Sequence, residues 1–504
     1  MKKVKFPAWA DSFLVFSVLA ILYYLTASNR LTWANFGNDG GDFFAAILTN
    51  GIPHPTGYPT YLILGWLFQQ LPVGDAYFRA VLLSLIPAAI ASGLLCAWVN
   101  SLGSGYRLAG LVASLMWGLS PLFWSQAVII EVYALQALFS VLTLWWVTLL
   151  LMNQPAKPGL LFLLAFSFGL GTGNHITQVF FLPVGLVGLA HYVKTTGKYR
   201  QGALQLVLVF LGGLVYLVLP LRAAQYPPIN WGNPQTLSGF LWEVTGQPYQ
   251  SLLGSISATT LVERLFGSAS ILREQVGVVG IGLGVIGGYE IFQSNRKLGW
   301  VGLWIFFVFL AFAILYNTAD STAYLIPAWM IFTGWVGISL VTFDQIRWKQ
   351  WRLSYLLFAG LILWLGFRIP TIITQVTSES GYRAADIAEQ TLQKLPEDAI
   401  VLTSSDLDSF PLWAYHFGLG WRKDIAVVVL PLTQFRWYQE TLIHTYPTLN
   451  FAAPTEPALD PGNWGEQMGP LNPGRVLCRS TIKQVDKIEI QYTCTNGIII
   501  SGGS

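Results

Sequence analysis

Asp39 and Asp42 stand three residues apart in "GNDGGDFFAAILTN", and "GIPHPTGYP" follows at once with His54 and Tyr58. Carboxylates at that spacing share one face of a helix. A carboxylate can take the proton of a hydroxyl, and a histidine or arginine can meet a phosphate. Further candidates are Glu131 in "FWSQAVIIEVYALQ", His175 in "GTGNHITQ", Arg222 in "LPLRAAQYPPINWGNPQ" and Asp320 in "YNTADSTAYLIP".

Each has a purely structural counterpart. Asp39 as N-cap and Asp42 at the third helical position make a capping-box-like pair that needs no chemistry. Glu131 can open a helix, where its charge suits the N-terminal dipole. His175 can be a satisfied interfacial histidine, Arg222 can snorkel to headgroups, and Asp320 can be a turn residue. Asp406 and Asp408 in "SSDLDSF" read as a strand-to-helix turn with capping rather than a metal site.

The elements that must position these residues belong to a membrane protein. The 504-residue chain is 54% hydrophobic and 11% charged, about half the usual charged fraction. Its net charge of +3, with no basic run, excludes nucleic acid as a partner. Apolar runs of spanning length fall at about 11–27, 78–99, 106–123, 133–152, 159–173, 176–193, 203–220, 274–292, 299–316, 323–342 and 353–370, about eleven transmembrane helices. The first has a basic start but no clear cleavage site, and reads as an uncleaved span.

Sorting the basic residues by alternate loops gives one set of Lys2, Lys3, Lys5, Arg107, Lys157, Lys194, Lys198, Arg200, Arg296, Lys297, Arg347, Lys349 and Arg352. The opposite set holds only Arg30, Arg79, Arg222, Arg264, Arg273 and Arg368. The positive-inside rule then makes the N-terminus cytoplasmic and the C-terminal region extracytoplasmic, in a multi-pass protein expected in a cell inner membrane. Asp39, Asp42, His54, Glu131, His175, Arg222 and Asp320 all fall on the outer side.

The expected organisation is a transmembrane domain over 1–370, with outer loops at 28–77 and 222–273, and an extracytoplasmic α/β domain over 371–504. In that domain "AIVLTSSD" and "IAVVVLP" read as buried strands, with helices at "DSFPLWAYHFG" and "QFRWYQETLIH". The Pro/Gly-rich stretch 454–474 reads as a loop. Cys478 and Cys494 lie in two strand-like runs, either disulfide-bonded or as two thiols.

In the first outer loop, Asn38 or Asp39 caps a helix through "GGDFFAAILTN", and Asn50-Gly51 ends it. Phe43, Phe44, Ile47 and Leu48 supply apolar surface for lying at the membrane interface. The prolines that follow hold His54 and Tyr58 near the capped end.

Taken in order, "NDGGDFFAAILTNGIPHPTGYPTYLILGWLFQQLP", "FWSQAVIIEVYALQALF", "GLGTGNHITQ", "LPLRAAQYPPINWGNPQT" and "LTSSDLDSFPLWAYHF" resemble the blocks of the transmembrane protein 260 family. That family is similar to O-mannosyltransferases and belongs with the GT-C class of polytopic glycosyltransferases. Its usual Asp-Ser-Gly-Glu is matched by Asp39, with Asp42 in place of the glutamate. His54 and Pro55 fit its "HPPGYP" run, with Thr56 replacing the second proline.

The resemblance implies a GT-C-like fold and a glycosyltransferase using a polyprenyl-phosphate sugar donor, with a protein, lipid or glycan as acceptor among the membrane lipids. Asp39 and Asp42 are then the catalytic residues, Asp39 as base and Asp42 orienting the acceptor. A divalent ion shared by the two is the lesser alternative, and no cofactor is otherwise called for. His54, Arg222 and His175 are candidates for the phosphate, Glu131 and Asp320 for the carbohydrate, and Tyr58, Trp231 or Trp242 for stacking on a sugar ring. The rival classes are a transporter or lipid flippase, which favours inverted repeats and midplane polar groups, and a non-catalytic assembly protein whose outer carboxylates are caps alone.

Overall fold

In a computed structural model of the protein, residues 8–103, 105–152, 156–377, 383–455, 463–484 and 488–502 are described. Lys2, Lys3 and Lys5 of the sidedness argument, and positions 456–462 of the expected loop at 454–474, lie outside them.

The chain forms two compact units. The first takes the residues up to Ala27, then Val81–Val215 and Tyr249–Thr377. The second takes Ser28–Ala80, Tyr216–Pro248 and the residues from 378 onward. The first outer loop and the front half of the second therefore pack with the C-terminal segment.

Among the described residues, nine helices are long and apolar enough to cross a membrane: Trp9–Thr26, Ala76–Ser101, Tyr133–Met152, Ile176–Thr196, Tyr199–Ala223, Ala258–Ser294, Arg296–Leu315, Ser321–Gln345 and Leu353–Val376. Arg107–Gly118 and Pro121–Ala127 make a tenth if taken together, bent by 66° where Ser120 turns extended ahead of Pro121. The stretch expected at 159–173 forms Pro158–Thr172, whose 15 residues fall short of the roughly 20 that a bilayer requires. The protein is thus multi-pass, with nine or ten such spans where eleven were expected.

In the first unit, helices Pro158–Thr172 and Tyr199–Gly213 meet at Gly169 and Gly212, where a Cβ on either would strike the other's backbone. Small residues at such crossings replace the hydrophobic effect that lipid cannot supply. The one acid of the first helix, Asp11, is buried and paired with Arg107 at 2.6 Å. Ala258–Ser294 begins inside the expected outer loop, capped by Ser257, and kinks at Gly277. Glu263, Arg264 and Arg273 interrupt its first half, so the apolar run of the sequence starts only at 274.

The second unit is built on a five-stranded sheet. Its strands are β1 (Ile400–Thr403), β2 (Ala426–Val429), β3 (Leu477–Gln484), β4 (Ile488–Cys494) and β5 (Ile499–Gly502), in the order β2-β1-β3-β4-β5. β1 runs parallel to β2 and β3, and β3-β4-β5 is an antiparallel meander. The continuous apolar runs of β1 and β2 are buried at every position, as parallel strands covered on both faces must be. Cys478 and Cys494 oppose each other across β3 and β4 and form a disulfide.

Six helices complete the part that carries the site: α1 (Gly40–Thr49), α2 (Pro59–Gln69), α3 (Leu237–Val244), α4 (Arg383–Lys394), α5 (Asp406–Trp413) and α6 (Arg436–Thr445). α1 ends where Asn50 turns left-handed, as its sequence predicts. It does not lie on a membrane surface. Gly40–Ile47 are all buried, Phe43, Phe44 and Ile47 to within 2% exposure, because α5 covers the face expected to be open. A helix apolar around most of its circumference is stable only when surrounded.

Gly41 lies against the Phe410 carbonyl with no room for a side chain, which allows that approach. Beyond α1, Ile52 pairs with Asn230 in a short parallel bridge and shares a buried cluster with Leu219 and Ala223. Arg30 ties the start of the loop to α4 through Asp386 at 2.6 Å and Glu389 at 3.1 Å.

Candidate active site

His54 sits between the two aspartates. Its backbone N–H and its Nδ1 both donate to Asp42 Oδ2, each at 2.8 Å. Its Nε2 lies 3.5 Å from Asp39 Oδ2 and 3.2 Å from the Tyr58 hydroxyl. The Asp42 side chain is fully buried and that of Asp39 is 35% exposed, so the pair presents one inner and one outer carboxylate.

Local sequence produces this arrangement. Asp39 occupies the N-cap position of α1 but makes no side-chain capping bond there, and Asp42 turns its Oδ2 to His54. The capping-box reading of the pair therefore fails. A genuine capping box forms instead at α5, where Ser405 caps the helix and Asp408 accepts from the Ser404 and Ser405 N–H groups. The loop between α1 and α2 turns at Gly57, whose N–H donates to the His54 carbonyl at 3.1 Å and whose φ of +77° suits glycine. Tyr58 follows in the left-handed region at φ 45°, a strain that tertiary contacts must hold. Phe43 supplies some of them, its ring 5.1 Å from His54, 5.0 Å from Tyr58 and 5.2 Å from Tyr61.

The electrostatics follow from the geometry. Burial opposes a charge on His54, but Asp39, the hydrogen bond and charge of Asp42, and Asp406 outweigh it and lift the imidazole from 6.5 to about 9. The ring is an imidazolium at neutral pH. Asp406, on α5, reaches solvent, yet burial of its carboxyl raises its pKa, with His54 pulling down and Asp42 pushing up.

Glu243 on α3 is also part of this surrounding. It is fully buried, neither carboxyl oxygen has a hydrogen-bond partner among the described residues, and burial first and Asp42 second push its pKa well up. Such a group is carried as the neutral acid. Sequence reasoning missed Glu243 and took Asp406 only as a turn. The lone acid of the apolar "LSGFLWEV" was the available signal for the first.

The other predicted residues separate. Arg222 joins this unit, where its Nη1 donates to the Gly51 carbonyl at 3.1 Å just past the end of α1. Trp231 also joins it but is only 7% exposed, packed by His54, Phe410, Trp413 and Trp437. The expectation that Trp231 stacks on a sugar is overturned by that packing. Trp242 lines an open cleft.

Glu131, His175 and Asp320 belong to the first unit. Glu131 is buried, and its Oε2 accepts from the Val132 N–H at 3.3 Å ahead of helix Tyr133–Met152, the helix-start role. Tyr133 donates to Asp320 Oδ2 at 2.8 Å and packs 5.7 Å from His175, with Tyr324 against both rings. Among the described residues no three His, Cys, Asp or Glu side chains gather as a metal site.

Two family profiles match the chain. "Protein O-mannosyl-transferase TMEM260 N-terminal domain" covers residues 39–199, and "TMEM260-associated domain 2" covers 384–448. Protein O-mannosyl-transferase TMEM260 of Mus musculus is 25% identical over 484 residues, spanning 88% of this chain and 66% of the relative. Its namesake in Dictyostelium discoideum is 23% identical over 510 residues, spanning 87% and 59%. The chain thus spans just under two thirds of the length of these curated relatives. Among solved structures, ArnT from Cupriavidus metallidurans bound to undecaprenyl phosphate superposes over 98% of both chains with a TM-score of 0.58 at 13% identity. Its apo form gives 0.58 at 12% over 97% of both.

The fold is the polytopic, α-helical GT-C-like fold with a C-terminal α/β region. The chain is similar to the TMEM260 family over residues 39–199 and 384–448, which together make up a little under half of it.

Proposed function

We propose that the protein is a membrane glycosyltransferase that moves a sugar, mannose or similar, from a polyprenyl-phosphate-linked donor to a hydroxyl acceptor on the extracytoplasmic side. The observation that carries this reading is His54 held between Asp39 and Asp42. The names of the curated relatives, and the undecaprenyl phosphate bound to ArnT, support the choice of donor.

Asp39 is the general base. It is the carboxylate with open surface, whereas Asp42 is enclosed. The acceptor oxygen attacks the anomeric carbon, its proton passes to Asp39, and the carbon–oxygen bond to phosphate breaks with its electron pair leaving on the polyprenyl phosphate. A carboxylate beside an imidazolium is a weak base, so the proton moves late, as the attacking oxygen becomes acidic.

Asp42 is a positioning residue in this scheme, in place of the acceptor contact expected of it. It fixes the His54 ring and, together with Asp39, keeps it charged. Arg222 is the candidate for the leaving phosphate, because among the described residues one of its donors, Nη1, is used by protein and a guanidinium matches a phosphate in charge and shape. The positive-inside count supports a cytoplasmic N-terminus and an outward site.

The test is transfer of label from polyprenyl-phosphate mannose, and from a panel of other polyprenyl-phosphate sugars, to a membrane-extract acceptor pool by the purified protein in nanodiscs. Protein-dependent labelling is expected. No labelling with any donor, together with solute uptake into protein-bearing vesicles, would replace this reading with a transporter.

A further inference from the structure

The second unit contains a cleft of about 580 Å³ that includes neither the carboxylates nor His54. Its walls join α3 to the start of α6. Trp242, Phe435 and Trp437 form an aromatic corner: Phe435 and Trp437 lie nearly parallel at 17° and 5.7 Å, and Trp242 meets them at 67° and 57°. Thr236, Ser238 and Gln247 bring hydroxyl and amide groups to the same space.

Three features define what fits. The cleft's two charged side chains, Arg436 and Glu440, neutralise each other at 2.9 Å, so it offers no net charge to a phosphate or a charged peptide. The Thr236 and Ser238 hydroxyls, 3.1 Å apart, line the cleft on exposed residues and can exchange hydrogen bonds with the hydroxyls of a ligand. Aromatic faces beside hydroxyl and amide groups match the two sides of a pyranose, apolar C–H faces and a polar hydroxyl rim.

The cleft is also tied to the carboxylate pair. Trp437 packs on Trp231 at 5.9 Å, and Trp231 packs on His54 at 6.4 Å. Gly232, with φ +66°, is held between the Trp242 ring and the Glu243 carboxyl, where a Cβ would come within 2.9 Å of either. A ligand pressing on Trp242 or Trp437 therefore bears on the walls around His54.

We propose that this cleft is a saccharide-binding subsite that takes a neutral sugar ring of the acceptor by stacking on its tryptophans, with ring hydroxyls bonded to the hydroxyl and amide side chains. The proposal rests on the glycosyltransferase reading for its role, and names a glycan as the acceptor class.

The experiment titrates the full chain in nanodiscs with neutral oligosaccharides, mannobiose and maltotriose, following tryptophan fluorescence and saturation-transfer NMR. Saturable binding of at least one, weakened tenfold or more by Trp242→Ala and blocked by Ser238→Trp, is expected. Ser238 is exposed, so the second variant tests the cleft even if the first fails to fold. Absence of binding, or binding that neither variant changes, overturns the proposal. Binding of a neutral Ser/Thr peptide, lost in both variants and unmatched by any saccharide, also overturns it, in favour of a protein acceptor. Donor turnover is followed separately: turnover without saccharide binding removes only the subsite, and binding without turnover removes only the transferase reading.

Discussion

The Nδ1–H and the backbone N–H of His54 both end on one oxygen of Asp42, each at 2.8 Å. A single buried carboxylate oxygen thereby fixes the position of the loop and the orientation of the ring together. The other oxygen, Oδ1, is buried with no partner among the described residues, so nothing pulls the carboxylate away. The Nε2 edge of the ring is left to Asp39 and Tyr58.

Asp39→Asn removes the proposed base while preserving shape. Donor-to-acceptor transfer is expected to fall by about 10²- to 10⁴-fold. Part of the stability that depends on the His54 charge should be lost as well, because Asp39 is the leading cause of the raised imidazole pKa, while the fold is kept. Single-turnover assays and a thermal melt check both parts, and full activity in the variant would remove Asp39 from the mechanism.

The pH dependence belongs to His54. Its folded pKa of about 9 exceeds the ordinary 6.5, so the folded state holds the proton more tightly. The stability this contributes is fully present below about 6.5 and is lost as pH rises through about 9, on the order of 3 kcal/mol. Activity should show an alkaline limb in the same range. Asp42→Asn weakens the hold on the proton and should move that limb down by a unit or more, read from a pH–rate profile and from imidazole NMR shifts. An unmoved limb would show that Asp42 does not sustain the charge.

Glu243 has the opposite sign. Its folded pKa lies well above 4.5, so stability falls as pH rises from the unfolded value. Glu243→Gln keeps the shape and removes the titration. The variant should match wild type near pH 4 and be the more stable of the two at pH 8, a difference that denaturant melts at both values would reveal. Equal stability at both would mean that Glu243 acquires a partner in the folded protein.

Gly57→Ala combines a positive φ with a crowded site, since the added Cβ would come within 2.8 Å of Leu219 and 3.2 Å of Glu243. A cost of about 1 to 3 kcal/mol is expected from the backbone conformation alone. Because Gly57 closes the turn on the His54 carbonyl, transfer should fall as well. Chemical denaturation and the transfer assay test the two effects separately.

Much of this site was legible beforehand. The helix of α1, its stop at Asn50, and the closeness of His54 and Tyr58 to Asp39 follow from spacing, capping and proline chemistry within about twenty residues. The capping box at Ser405 and Asp408 was likewise readable in "SSDLD". The sense of the first pair was not. A carboxylate three residues into a helix looks the same whether it caps its own N-terminus or accepts from a loop twelve residues later, and only the loop's path decides.

Composition and hydropathy alone determined a multi-pass membrane protein, the place of most of its spans, and a C-terminal α/β segment with two buried strands. These are local properties, set by side chains against solvent or lipid. Tertiary structure decided that α1 is enclosed rather than laid on a membrane, that Trp231 is a packed wall while Trp242 opens on a cleft, and that Glu243 lies beside the carboxylates. Each depends on segments remote in the chain, Gly41 against Phe410 and Ile52 beside Asn230, whose burial no window of sequence contains.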